Sequence, residues 1–171
     1  SDHDDTIVLN RGAFLPENLA RTIRSPLLRP GYLIAQSILQ EKISNEIREK
    51  RQLSYDGSFN FNDASNLNQY SAGVSVTIDE SALGEVAKII DDTIASASEN
   101  VTFKMVNKTR ATLLGGMYDD ISSTGPRFSS LDFSLDNNTP PVSYTNKIRL
   151  LEDVERNDVI KALDDFSESI L

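Results

Sequence analysis

The 171-residue chain carries 26 acidic against 17 basic side chains, a formal charge of −9, and has no cysteine and no tryptophan. This balance excludes phosphate-tracking nucleic-acid binding, which needs clustered Lys and Arg to displace counterions. The missing thiols exclude disulfides and thiolate chemistry but leave the compartment open. The length fits one domain, of a size that buries roughly 70% of the surface its unfolded chain exposes, and no apolar run approaches the ~18 to 20 residues of a membrane span.

Residues 1–5 of the opening SDHDDTIVLN are expected to fray, and the run lacks the basic and apolar regions of a signal peptide. Thr6 to Phe14 reads as a strand; Pro16, Pro26 and Pro30 then predict a loop with one helical turn. From Tyr32 the period changes. Tyr32, Ala35, Leu39, Ile43 and Ile47, widened by Ile34 and Ile38, predict a helix to about Lys50, while Gln40, Glu41, Asn45, Glu46 and Glu49 on its other side make it a surface helix.

Two period-2 segments follow. Leu53, Tyr55, Gly57, Phe59 and Phe61 alternate with polar residues, as do Tyr70, Ala72, Val74, Val76 and Ile78. With the turn-rich NDASNLNQ between them, they predict an antiparallel hairpin with one face on the core. Leu83, Val86, Ala87, Ile90, Ile94 and Ala97 predict a helix capped by Asp79 or Ser81. Phe103, Val106, Leu113, Met117 and Ile121 predict a second, in which Gly115 and Gly116 signal a kink or the close approach of another helix. Beyond the STGP turn, Arg127 to Leu135 reads as a short helix, NNTPP as a break and Tyr144 to Leu151 as another helix. A final helix opens at Asn157 with Val159, Leu163, Phe166 and Ile170 inward. Strand, helix, two strands, then helices is an α+β order, not an alternating βαβ one.

Catalytic signals are sparse. His3 is the one histidine, so no His-based triad or zinc pair can be assembled. The acidic pairs Asp4–Asp5, Asp91–Asp92, Asp119–Asp120 and Asp164–Asp165 read as solvated faces, because adjacent helical side chains point about 100° apart and do not converge. The glycines of LLGGMYDD lack the spacing and the lysine of a phosphate loop, and the three-residue sequons at Asn100, Asn107 and Asn137 read as chance matches. Arg48 and Tyr55 stand at the join of helix and strand in REKRQLSY, where Arg48 suits a helix C-terminus and Tyr55 shares the inward phase of Leu53 and Phe59.

The run IAQSILQEKISNEIREKRQLSYDGSF resembles the signature of the later, non-zinc domains of the pitrilysin/insulinase (inverzincin) zinc peptidases, whose catalytic domain carries H-x-x-E-H. IREKRQLSY matches their helix-to-strand segment. A second strand ending in TID, VAKIIDDTI, KTRATLL and EDVERNDVIKALDDF follow in the family's order, so the likeness covers most of residues 27–168. The resemblance implies an α+β fold with an antiparallel sheet and helices packed on one face, as in the processing-peptidase domains. It also implies that residues 1–171 form a single, trimmed domain of a larger peptidase, with one strand before the helix and none after Leu171.

By the same resemblance, Arg48 and Tyr55 fall on the R-x6-Y pair that contacts substrate near the scissile bond, as donors to a developing oxyanion. The chain itself has no zinc motif and no metal ligand set. Zinc and its ligands would therefore belong to a catalytic domain of the same polypeptide or of a partner subunit, with a peptide as substrate. An inactive family member serving as an assembly or scaffold subunit is the alternative. In that case Arg48 and Tyr55 are only helix-end and core residues.

Overall fold

The computed structural model describes residues 6–25, 27–51, 56–64, 69–122 and 144–171. Three antiparallel strands, β1 (Thr6–Phe14), β2 (Asp56–Ala64) and β3 (Gln69–Asp79), form a sheet in the order β1-β3-β2. The expected hairpin is present, with Asp56 opposite Thr77 and Ala64 opposite Gln69, and β1 completes the sheet along the other side of β3. Alternation decides sidedness. Ala72, Val74, Val76 and Ile78 are buried, whereas Ser71, Gly73, Ser75 and Thr77 stand on the opposite, more exposed face. In β1, Ile7 and Leu9 pack onto the core and Val8 and Phe14 face outward. The fold is α+β with its helices on one face of an antiparallel sheet. Leu53 and Tyr55, expected in the second strand, lie outside the described residues.

The proline-punctuated stretch after β1 is more ordered than a loop with one turn. It forms α1 (Glu17–Arg24), opened by Pro16, and Leu19, Ala20 and Ile23 are buried along one stripe. Pro16 hides this helix in the sequence, since a proline just ahead of a helix starts it instead of breaking it. Next comes α2 (Arg29–Arg51), which begins three residues before Tyr32. Its first turns are not a surface helix: every residue from Arg29 to Ala35 is buried. Only toward the C-terminal end do Glu41, Asn45, Arg48 and Glu49 reach solvent, while Ile43 and Ile47 stay in the core. Pro30 sits in the first turn, where its missing N–H breaks no helical bond.

Helix α3 (Leu83–Ser96) is entered through a 3₁₀ turn at Glu80–Ala82, and neither Asp79 nor Ser81 caps it by a side-chain hydrogen bond. Val86, Ile89, Ile90 and Ile94 are buried, but Leu83 at the first position is exposed. Asn100 then adopts a left-handed φ of 60°, a conformation asparagine tolerates, and the Thr102 hydroxyl accepts the Met105 N–H at 3.1 Å to start α4 (Phe103–Ser122). The Asn-Val-Thr sequon thus marks a turn and a helix cap. Phe103 is exposed, so the α4 stripe begins at Val106.

The α4 helix runs continuously through Gly115 and Gly116, and a Cβ built at either meets nothing within 4 Å among the described residues. Close packing by another described helix therefore does not account for the pair. The short helix expected over 127–135 and the break at 137–141 lie outside the described residues.

The last elements are α5 (Tyr144–Glu152) and α6 (Arg156–Ile170). Arg110 of α4 ties their junction, donating from Nε to the Leu151 carbonyl at 3.1 Å and from its second nitrogen to the Val154 carbonyl. A capping box opens α6: the Glu155 N–H donates to Asp158 Oδ2 at 2.8 Å. Val159, Leu163, Phe166 and Ile170 are buried as the periodicity required, and the Phe166 ring meets Tyr32 of α2 edge-on at 5.7 Å.

Glycines in the two layers are expected to respond oppositely to alanine. In β1 and β3, Gly12 pairs with Gly73, and a Cβ on Gly73 would lie 2.7 Å from the Arg11 carbonyl oxygen and 2.8 Å from the Gly12 Cα. Gly73→Ala should destabilise by about 1–3 kcal/mol, because backbone must shift. Gly115→Ala and Gly116→Ala should each stabilise by about 1 kcal/mol. Urea unfolding of the three variants distinguishes these signs, and a loss at either helical glycine would mean that a neighbour packs there.

Candidate functional site

Arg48 occupies the last turn of α2, held in place by Ile47 and Ile43 beneath it while its own side chain is exposed. Tyr55 lies outside the described residues, directly before Asp56, the first residue of β2. Arg48 is presented to solvent instead of being consumed by the core.

A second feature was not anticipated. On the sheet face away from the helices, the Gly12–Gly73 pair leaves a trough of about 460 Å³, with Asn10, Phe14, Ser71 and Ser75 around it. Glycine facing glycine across adjacent strands removes both side chains where any Cβ would collide with backbone, so the floor of the trough is main chain. Among the described residues that line it, Arg11 is the one with a titratable side chain, and that side chain turns to the helix-facing side and pairs with Asp91. The trough can seat a flat or extended group by contact and by Ser and Asn hydrogen bonds. The signal in the sequence was a glycine inside each alternating strand, in TIVLNRGAF and in QYSAGVSV.

The ionisable groups sort into separate pairs. Arg11, on the helix-facing side of β1, donates to Asp91 of α3 at 2.9 Å, while Asp92 pairs with Lys88 at 2.6 Å. Neighbours in sequence, these carboxylates point apart as helical spacing dictates. Lys42 donates to the Glu99 carbonyl at 3.3 Å, and burial lowers its pKa against the opposing pull of the Glu99 charge. It lines a polar cleft of about 480 Å³ between α2 and α3 with Glu46, Glu49 and Asp92.

Asp165 of α6 accepts the Tyr32 hydroxyl at 2.6 Å and the Lys161 ammonium at 2.7 Å, whereas Asp164 is exposed. Burial foremost, then the hydrogen bond and charge of Asp165, push the Tyr32 phenol far above its ordinary 10.0. Among the described residues no group of three or more His, Cys, Asp or Glu side chains could hold a metal ion. His3, Asp4 and Asp5 lie outside them. No described helix is long and apolar enough to cross a membrane.

No protein-family model matches the sequence, and no curated protein matches it either. Solved structures do. The periplasmic protease PqqL from Escherichia coli superposes with a TM-score of 0.77 over 96% of this chain at 13% identity. The insulinase-type fold is shared. A chain described as the inactive peptidase domain of a zinc protease from Bordetella parapertussis aligns over 95% of this chain and 86% of its own length, at a TM-score of 0.69 and 14% identity. An insulinase-family protease from Yersinia pestis aligns over 98% of this chain and 38% of its own, at 0.65 and 12%. At such identities the likeness shows the fold alone. The present chain spans 18% of the PqqL chain.

The Tyr32–Asp165 bond has a measurable consequence. A phenol whose folded pKa lies above its unfolded value contributes stability that is present below pH 10.0 and lost as pH rises beyond it. Tyr32→Phe should cost about 2 kcal/mol at neutral pH, the bond to a charged acceptor. It should also flatten the alkaline decline: denaturant midpoints taken between about pH 8 and 11 should fall more steeply in the parent chain than in the variant.

Proposed function

We propose that this chain is a single domain, residues 1–171, of a larger zinc metallopeptidase, and that it forms the substrate-binding wall facing the zinc-bearing catalytic domain. The observation that carries this reading is the insulinase-type fold over 96% of the chain, matched to only 18% of a protease chain. A domain with that fold and without a metal cluster among its described residues fits a partner to the catalytic centre better than the centre itself. The helices cover one sheet face, which leaves the small-residue face with its glycine-floored trough free to contribute to such a wall.

In this reading the zinc, bound by another domain of the polypeptide or by a partner subunit, supplies activated water. Arg48 and Tyr55 supply hydrogen-bond donors. As a peptide carbonyl is attacked, negative charge develops on its oxygen, and a phenol O–H is a suitable donor to that charge. The guanidinium at Arg48, standing free of the core, can grip the substrate backbone with its planar fork. The substrate class is peptides or small unfolded proteins.

One specific observation favours a second reading: a neighbour that this chain nearly matches in extent is described as an inactive peptidase domain. A catalytically inactive assembly or scaffold subunit would keep the fold and dispense with the donors.

The test is peptide hydrolysis by the full-length protein. Tyr55→Phe should lower kcat by about a hundredfold, the effect of removing one oxyanion donor, with KM little changed, and Arg48→Ala should raise KM. Unchanged kinetics in both variants would refute the assignment, and a full-length protein that binds no zinc and hydrolyses no peptide would support the scaffold.

A further inference from the structure

Between the α1–α2 turn and the α5–α6 turn lies a cavity of about 290 Å³ to which no strand contributes. Its walls are apolar where Leu150 and Val154 line it, and its mouth carries Leu27 and Leu28, which are 72% and 51% exposed. Two adjacent leucines left in water beside a concave apolar wall are costly unless something covers them.

The mouth is also negative. Asp153 has no ion-pair partner among the described residues, and Asp158, whose Oδ2 accepts the Glu155 N–H, keeps its other oxygen. Lys161, the cation nearest to them along the lining, is already bonded to Asp165 at 2.7 Å. The volume lies at the lower limit of small-molecule pockets, roughly 300 Å³, and suits a single large side chain.

We propose that this cavity is a docking site for a basic peptide segment. A leucine-sized side chain enters the apolar pocket, and an adjacent Lys or Arg is held by Asp153 and Asp158. Charge complementarity selects this occupant: an acidic segment would meet uncompensated carboxylates at the mouth, and an uncharged one would leave them unused. The site belongs wholly to the helical layer and does not rest on the proposed role beside zinc.

Fluorescence anisotropy of labelled peptides with the full-length protein tests the idea without reference to hydrolysis. The probes are fluorescein-Gly-Leu-Arg-Lys-Gly-amide, labelled at the N-terminus, and its counterpart with two glutamates in place of Arg-Lys. The basic peptide should bind saturably, weaken with added salt, and bind at least about tenfold more tightly than the acidic one. Leu27→Glu and Asp153→Lys, both at exposed positions, should each weaken it about tenfold with melting behaviour retained, while Leu83→Glu on α3 should leave it unchanged. Absence of saturable binding, equal binding of the acidic peptide, or indifference to both variants would overturn the proposal. So would concentration-dependent dimerisation that Leu27→Glu abolishes, because the cavity would then be a contact between copies of this chain.

Discussion

The enclosure of α2 governs the architecture. Its first turns, Arg29 to Ala35, are buried throughout, with α6 meeting them at Gly31 and Tyr32, and farther along α2 packs against α3, α4 and the sheet. Each neighbour answers with its own apolar stripe: Val74 and Val76 from β3, Ile90 and Ile94 from α3, Met117 from α4, Leu163 and Phe166 from α6. Because all these helices must reach one central helix, they gather on a single sheet face, and the other face stays uncovered by them. Along its length α2 passes from core to surface, so its C-terminal end carries Arg48 outward on a rigid base of Ile43 and Ile47. A side chain placed this way can act on something outside the domain without costing the core any contact.

Much of this was legible because the hydrophobic effect writes its period into the chain. β1 runs over the predicted residues, the hairpin register places Gly57 opposite Val76 and Phe59 opposite Val74, and the α6 stripe is buried as spaced. What periodicity could not reveal is what depends on tertiary partners. Gln40, Glu41, Asn45, Glu46 and Glu49 gave α2 a polar side, yet its first turns, Arg29 to Ala35, are interior because other elements close over them. Pro16 masked α1, since proline punctuates sequence equally well when it starts a helix. The α6 capping box uses Glu155, an uncommon cap, and escaped notice beside Asn157.

The candidate site divides along the same line. Order and spacing of short motifs pointed to Arg48 and Tyr55, and only the first has a described position. The trough at Gly12 and Gly73 comes from a cross-strand pairing between residues 61 positions apart in sequence, and such a pairing is invisible until the register is known. Arg110, part of a motif that carried the family resemblance, proves to bind the carbonyls of Leu151 and Val154. The likeness there therefore reflects a structural staple between helices. This separates motif residues that hold the fold from those free to do chemistry.

The central proposal is that Arg48 and Tyr55 lend hydrogen-bond donors to a zinc centre held by another domain or subunit. A structure of the full-length protein with a bound peptide tests it most directly. The account predicts the Arg48 guanidinium and the Tyr55 hydroxyl within hydrogen-bonding distance, about 3 Å, of the substrate backbone on the side facing the zinc. A complex in which Tyr55 is packed into the core and Arg48 points to bulk solvent, with the peptide held elsewhere, would contradict it.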